Sequence, residues 1–299
     1  MSNGFPKAIG VISHPQSEKI IDKVKHFVER LEERCVVIKM RPAFATALGR
    51  PEYGCADNEL VRDIDLLLVL GGDGSFLGAA RLAAPVGVPI LGVDLGTLGF
   101  LTEVRLDKVE EALSAISQRR YTIDERMMLQ ARVLTDEKER LSYRAMNDVV
   151  VAKGSFSRMI RFKTYVDNRY LATYAADGII LATPTGSTAY SLSAGGPVVN
   201  SNLSVIIVTP ICAHSLHARS LVVSGEEEVR VKVECEDREA MITVDGQEGE
   251  KLIEGDVIVI KSAPYKARVV KLHERNFYTI LRTKLKWGGD YEARICDRD

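Results

Sequence analysis

The chain has 299 residues, 46% of them apolar and 27% charged, with a formal net charge of −1. That length exceeds a usual single domain and predicts two, while the near-neutral balance excludes a general attraction to nucleic acid or anionic membrane. No apolar run approaches the ~18 residues of a membrane span, and Met1 to Lys7 hold no signal-peptide core, so a cytoplasmic protein with no nucleic-acid or membrane partner is expected.

In chain order, Ala8 to Ser13 reads as a short buried strand, and Ile20, Ile21, Val24, Phe27, Val28 and Leu31 then recur at helical spacing. Cys35 to Met40 is the next strand. Leu66 to Leu70 is an uninterrupted apolar run, the pattern of a strand buried on both faces of a parallel sheet. It stops at Gly71-Gly72-Asp73-Gly74-Ser75, and the C-terminal end of such a strand is where parallel sheets bind ligands. Gly71, Gly72 and Gly74 admit backbone conformations barred to other residues and a close approach to phosphate, and a helix starting near Ser75 would aim N–H groups at the same place. Asp73 repels phosphate, so in an anion-binding turn it reads as the group that orients or deprotonates a neighbouring hydroxyl; a tight turn with a surface Asp is the alternative. No Gly-Lys-Ser/Thr occurs, which excludes a Walker A loop. Gly72, Gly74 and Gly78 approximate the dinucleotide fingerprint, with Asp94 where a ribose-binding acid would sit, so a hydride-transfer enzyme stays open as an alternative. Phe76 to Ala84 then reads as a helix ended by Pro85, Pro89 to Val93 as a strand, and Leu106, Val109, Leu113 and Ile116 as an amphipathic helix. Strands alternating with helices imply a parallel sheet covered on both sides.

From about Arg126 the pattern changes to short alternating strands, among them Val229 to Val233, Met241 to Val244, Val257 to Ile260 and Arg268 to Leu272, the rhythm of an antiparallel β domain. Asn276 to Trp287 regains helical character. The expected fold is therefore α/β plus all-β: a Rossmann-like parallel-sheet domain over residues 1–125, completed by 275–299, and a β-rich domain over 126–274. Asp124-Glu125-Arg126 and Glu226-Glu227-Glu228 read as solvated turns. The five cysteines, Cys35, Cys55, Cys212, Cys235 and Cys296, form no Cys-x-x-Cys pair and read as packing residues. His214 and His217 would share a helix face, but no acidic partner completes a metal site, so no metal ligands are assigned. Within the β half, Asn147-Asp148 offers an amide for an adenine edge and a carboxylate for ribose hydroxyls, or simply a turn. The stretch Asp177 to Pro197 is an uncharged loop dense in hydroxyls after its first residues, with Thr185, Ser187, Thr188, Tyr190, Ser191 and Ser193 suited to a polar ligand and the Tyr190 ring to a base.

Taken together, these residues resemble the NAD kinase family of the bacterial type. The resemblance rests on Gly71 to Gly74, Gly92-Val93-Asp94-Leu95-Gly96-Thr97-Leu98-Gly99-Phe100-Leu101, Asn147-Asp148, Asp177-Gly178 leading into Thr183 to Tyr190, Pro210 with His214-Ser215-Leu216 and Arg219, and Asp245-Gly246-Gln247. The chain departs from that pattern at Asp94, where the family commonly has Asn, and at Asp148, where it usually has Glu. The resemblance implies transfer of the ATP γ-phosphate to the 2′-hydroxyl of the adenosine ribose of NAD, with Asp73 as general base and Gly74 beside it in the dinucleotide site. It further implies that Asn147 and Asp148 bind the adenosine part, that Ala175 and Asp177 meet the nicotinamide half, and that Thr188, Ala189, Tyr190, Ser191, Leu192 and Ser193 line the adenine pocket. Arg158 and Gln247 match further contact positions. Mg²⁺ would arrive with ATP, and the chain would form a homodimer or homotetramer. A non-catalytic NAD(P) sensor and a lipid kinase of the same superfamily are the competing readings.

Overall fold

A computed structural model of the chain describes residues 5–13, 18–34, 36–96, 98–154, 159–234, 239–272 and 276–286. It divides into two compact units, residues 1–124 with 268–299 and residues 125–267.

The first unit runs β1 (Ala8–Ser13), α1 (Glu18–Glu33), β2 (Val37–Met40), α2 (Pro42–Ala47), α3 (Asp57–Leu60), β3 (Leu66–Leu70), α4 (Asp73–Ala83), β4 (Ile90–Asp94), β5 (Val104–Arg105) and α5 (Val109–Ser117). Its strands pair in the order β2-β1-β3-β4, all parallel, with β5 continuing beyond β4. All five residues of β3 and of β4 are buried, as the unbroken apolar run predicts for a strand covered on both faces. Val24, Phe27, Val28 and Leu31 of α1 enter the same core as Leu66, Leu68, Leu70, Leu91 and Val93. α2 and α3 were not legible, because each is too short to show a helical period. Their positions are fixed by a fork of hydrogen bonds from Arg41 to Asp57, 2.7 and 2.9 Å. Cys55 is half-buried there, and burial raises its thiol pKa, which disfavours the thiolate.

The second unit is antiparallel. It contains β7 (Lys138–Ala145), β8 (Asp148–Lys153), β9 (Ile160–Val166), β10 (Arg169–Ala176), β11 (Gly178–Ala182), α6 (Tyr190–Ser193), β12 (Val205–Ile211), β13 (Leu221–Ser224), β14 (Val229–Glu234), β15 (Ala240–Val244) and β16 (Glu248–Leu252), and is entered by β6 (Thr122–Thr135) and left by β17 (Val257–Lys271). One sheet has the order β13-β12-β11-β8-β15-β16. Its face bearing Val149, Val151, Ile179, Leu181 and Val208 packs on Ile160, Phe162, Val229, Val231, Ile258 and Ile260 of the facing strands. On the opposite face Val150, Ile180, Ala182 and Ile207 are covered by Ala194 and Val199, so the segment after β11 folds back over its own sheet.

Several expectations are corrected. The strands expected at Val257–Ile260 and Arg268–Leu272 are one strand, β17, whose middle buries only the small Ala263 and Ala267 and so hides its alternation. Glu228 is no solvated residue: it is buried, with ion pairs to Arg230 and to Lys261, the latter at 2.8 Å, and Arg126 is buried too. Cys212 is exposed with φ of 47°, not a packing residue. His214 and His217 are exposed in a non-helical segment and share no helix face. The final helix, α7 (Phe277–Leu285), is capped by Asn276, whose Oδ1 accepts from Thr279 N at 2.9 Å. The end expected at Trp287 lies outside the described residues, as do Cys35, Cys235 and Cys296.

Candidate functional site

β3 ends at Leu70 and α4 begins at Asp73, so Gly71 and Gly72 make the whole turn. Gly71 N–H donates to Val93 O at 2.9 Å, which holds the turn against the end of β4. None of Gly71, Gly72 and Gly74 has a positive φ, so the expected need for left-handed backbone is corrected. What the missing side chains provide is clearance: a Cβ on Gly71 would run into Ser75, and one on Gly72 would meet nothing within 4 Å, leaving that flank of the turn open. The amides of the first turn of α4 point out of the same end.

Asp73, half-buried, has both carboxylate oxygens engaged. Oδ2 accepts from Phe100 N and Oδ1 from Leu101 N, each at 2.9 Å. A Cβ on the preceding Gly99 would overlap the carboxylate, so a side chain there would displace Asp73 from this position. From the other side the same loop is held by Asp94, only 5% exposed, whose Oδ1 accepts from Gly96 N at 2.6 Å and whose Oδ2 accepts from the Thr102 hydroxyl at 3.2 Å. Asp94 is thus committed to its own loop and is not presented to a ribose, which removes the observation behind the hydride-transfer alternative. A cavity of about 440 Å³ lined by Phe5, Lys7, Asp65, Arg119 and Tyr121 lies at the N-terminal ends of these strands, the wrong end for a phosphate loop.

In the second unit three turns converge. The three-residue hairpin loop Asp245-Gly246-Gln247 has φ of 50° at Asp245 and 65° at Gly246, both left-handed, and joins Val244 to Glu248. Its Asp245 carboxylate accepts from the backbone N–H groups of Met146 (3.2 Å), Asn147 (2.8 Å) and Asp148 (3.2 Å). Thr183 ties in the third turn: its hydroxyl donates to Met146 O at 2.6 Å and accepts from Gly186 N at 3.0 Å, while its N–H donates to Asn147 O at 2.8 Å. A Cβ on Gly186 would overlap Asn147 O. Asp148 follows these turns, 4% exposed, and among the described residues no group donates to its carboxyl. Burial, and secondarily the Asp245 charge, push its pKa from 3.8 up to about 7.

The hydroxyl-rich loop is partly spent on itself. Ser187 Oγ bonds Pro184 O at 2.6 Å and accepts from Val199 N at 3.0 Å, and Ser191 Oγ is buried against Thr209 Oγ1 at 3.0 Å. Thr185 is buried. Thr188, Ala189 and Leu192 are half-buried, whereas Tyr190, 45% exposed, and Ser193 face outward. Gln247 is exposed, its N–H closing the hairpin onto Val244 O at 2.9 Å. Asp177 and Ala175 lie elsewhere. Asp148 pairs with Ala182 and Ala152 with Gly178, so Asp177 sits at the opposite end of β11, roughly 20 Å from Thr183 along the strand. There it pairs with Lys153 Nζ at 2.7 Å, and Ala175 O accepts from His214 N at 2.9 Å. Arg158 and Thr97 lie outside the described residues.

A model of the ATP-NAD kinase N-terminal domain matches residues 9–121, and one of the ATP-NAD kinase C-terminal domain matches residues 146–272. The chain belongs to the NAD kinase family. NAD kinase of Moorella thermoacetica is 49% identical over 281 residues, covering 94% of this chain and 90% of the relative. That of Thermoanaerobacter sp. is 44% identical over 279 residues, covering 93% and 99%. Among solved structures, yeast NADH kinase complexed with NADH superposes with a TM-score of 0.86 at 26% identity over 94% of this chain and 88% of that one. An NAD kinase from Archaeoglobus fulgidus in complex with ATP shares the fold, with a TM-score of 0.70 at 24% identity over 92% and 98%. In this NAD kinase chain the structure adds residues that the sequence reading left without a role: Asp245 and Thr183, which build the Asn147-Asp148 turn, and Gly99 and Thr102, which shape the loop holding Asp73. The Asp-Gly hairpin signal was visible, but nothing in sequence spacing says that its carboxylate reaches three amides almost a hundred positions earlier.

Proposed function

We propose that this chain transfers the γ-phosphoryl group of ATP to the 2′-hydroxyl of the adenosine ribose of NAD, with Asp73 as the base. The observation that carries the base assignment is the Asp73 carboxylate, fixed at the ligand-binding end of β3 by one amide on each oxygen. Each oxygen retains a lone pair for a hydroxyl proton. As the new P–O bond forms and the bond to ADP breaks, the hydroxyl proton passes to Asp73, giving NADP and ADP.

The Asn147 amide would read the adenine edge, and Asp148 would accept from the adenosine ribose; a buried carboxyl without a donor among the described residues is suited to a ligand hydroxyl. Thr188 to Ser193 would line the adenine, with Tyr190 as its aromatic face, and Gln247 would add a contact. Asp177, with the backbone of Ala175, would meet the nicotinamide half; the length of β11 between these groups suits a dinucleotide better than a mononucleotide. Arg158 is proposed from the family pattern alone, as is a homodimeric or homotetrameric assembly. ATP enters with a divalent metal, Mg²⁺ in this proposal. Among the described residues no three His, Cys, Asp or Glu side chains converge; in this proposal the metal is carried largely on the nucleotide phosphates. Both substrates are metabolites of the cytoplasm, where we place the protein. No helix among the described residues is long and apolar enough to cross a membrane.

The test is to incubate the purified protein with NAD, ATP and Mg²⁺ and to follow NADP, in parallel with Asp73→Asn. The wild type should form NADP, and Asp73→Asn should lose at least about a hundredfold in turnover while still binding NAD, the signature of an interaction made mainly in the transition state. Binding of NAD without any NADP from the wild type would make the chain a sensor. Normal turnover by Asp73→Asn would remove the base assignment alone.

A further inference from the structure

Phe100 and Leu101 hold Asp73 only as well as their own loop is held. That loop leaves β4 at Asp94 and reaches β5 at Val104. Its turn is closed from inside by the Thr102 side chain, which is wholly buried. The Thr102 hydroxyl accepts from Gly99 N at 2.7 Å and donates to Asp94 Oδ2 at 3.2 Å. Asp94 Oδ1 in turn accepts from Gly96 N at 2.6 Å. Just past Thr102, Glu103 N donates to Gly92 O at 2.8 Å, and the buried Glu103 carboxylate accepts from Lys271 Nζ at 2.6 Å and Leu272 N at 3.0 Å. The far side of the loop is therefore anchored to the sheet. Between these anchors lies the arc Gly99-Phe100-Leu101, bonded to Thr102 on one side and to Asp73 on the other.

We propose that Thr102, oriented by Asp94, is a positioning residue for phosphoryl transfer: it sets the arc whose amides at Phe100 and Leu101 fix the orientation of the Asp73 carboxylate. The inference rests on the reading of Asp73 as the base. A carboxylate held by a single amide turns about its Cβ–Cγ bond, whereas amides on both oxygens fix its plane, and a base is effective only when its lone pair lies on the hydroxyl proton. Removing the Thr102 hydroxyl leaves Gly99 N–H without this acceptor and Asp94 Oδ2 without this donor in a buried setting, so the arc relaxes. Its effect is carried to Asp73 through two peptide units. Thr102 touches no reacting atom, so it should alter how well Asp73 works and not how NAD binds.

The experiment compares Thr102→Val, which keeps the shape and loses the hydroxyl, with Thr102→Ser, which keeps the hydroxyl, each alone and Thr102→Val also in the Asp73→Asn background. Thr102→Val should lower kcat at least tenfold with KM for NAD unchanged within about threefold, and Thr102→Ser should recover most of that loss. Added to Asp73→Asn, the same change should lower the residual turnover by less than twofold, because there is no base left to place. Asp94→Ala is the second variant should Thr102→Val fail to fold: it removes the carboxylate that accepts from the Thr102 hydroxyl, and the same split between kcat and KM is expected. Wild-type turnover in Thr102→Val, or in Asp94→Ala where that variant decides, overturns the proposal while an inactive Asp73→Asn leaves the base reading standing. A full tenfold loss in the Asp73→Asn background overturns it too, since Thr102 would then act by another route. Normal turnover by Asp73→Asn defeats the base reading and the proposal together.

Discussion

Asp148 is a carboxyl in a place that disfavours its charge. Its folded pKa, about 7, lies above the ordinary 3.8 because of burial first and Asp245 second, so between about pH 4 and pH 7 the folded state keeps a proton that the unfolded chain releases. Stability relative to a neutral residue therefore falls as pH rises through that window, and the whole cost is present above pH 7. Asp148→Asn should stabilise the ligand-free protein and raise its melting temperature, the stability margin growing with pH and levelling off above 7 at up to about 4 kcal/mol. A margin that stays flat or shrinks between pH 5.5 and pH 8 would show that the carboxyl is not destabilised by its surroundings. NAD binding should behave oppositely. It needs the ionised acceptor, so affinity should rise with pH through about 7, and Asp148→Ala should weaken it at least tenfold, as expected for losing a charged hydrogen-bond partner of about 1.5–3 kcal/mol. Calorimetry that finds equal affinity for Asp148→Ala takes the residue out of the site. At Asp94, where the family resemblance leads one to expect an amide, the position needs one oxygen for Gly96 N and one polar atom toward Thr102 Oγ1, and an amide provides both. Turnover of Asp94→Asn should accordingly lie closer to wild type than that of Asp94→Ala.

At the scale of elements, long segments with a clear period were legible and short ones were not. β1 and β3 coincide with their apolar runs, and α1 with its helical spacing, because burial of one face or of both writes itself into the sequence. α2, α3 and the four-residue α6 carry no period, and β17 lost its middle because Ala263 and Ala267 are small. The glycine-rich turns were legible as sites but not in mechanism. Asp73 reads as an odd acid in a phosphate turn, yet its partners lie 27 and 28 positions away, beyond any local pattern. Gly186 shows the same limit. It reads as part of an uncharged loop dense in hydroxyls, whereas its buried position beside Asn147 leaves no room for a Cβ. Gly186→Ala should therefore push the Asn147-Asp148 turn away from the Thr183 turn. We expect a lower melting temperature and at least a tenfold rise in KM for NAD, with kcat at saturating NAD much less affected. A variant with wild-type KM would show that the two turns yield without consequence for binding.

At the scale of the whole molecule, the change of rhythm near Arg126 corresponds to two sets of buried residues with separate membership: Val24, Leu68 and Val93 with their neighbours in one, Val151, Phe162 and Ile260 with theirs in the other. The roles proposed for the two sets of site residues can then be separated in one thermodynamic measurement. A ligand that binds only the folded state stabilises it by about 2.7 kcal/mol at a hundredfold excess over Kd, which for a chain of this size amounts to several degrees in melting temperature. NAD should raise the melting temperature of the wild type and, by nearly the same amount, of Asp73→Asn, because the base acts on a hydroxyl already bound. Asp148→Ala should lose most of the shift produced by NAD while keeping that produced by MgATP, whose phosphates belong to the Gly71 turn. The outcome that defeats this division is a shared loss: if Asp148→Ala abolished both shifts without lowering the ligand-free melting temperature, the adenosine contacts assigned to Asn147 and Asp148 would have to serve ATP as well, and the assignment of one carboxylate to binding and the other to chemistry would fail.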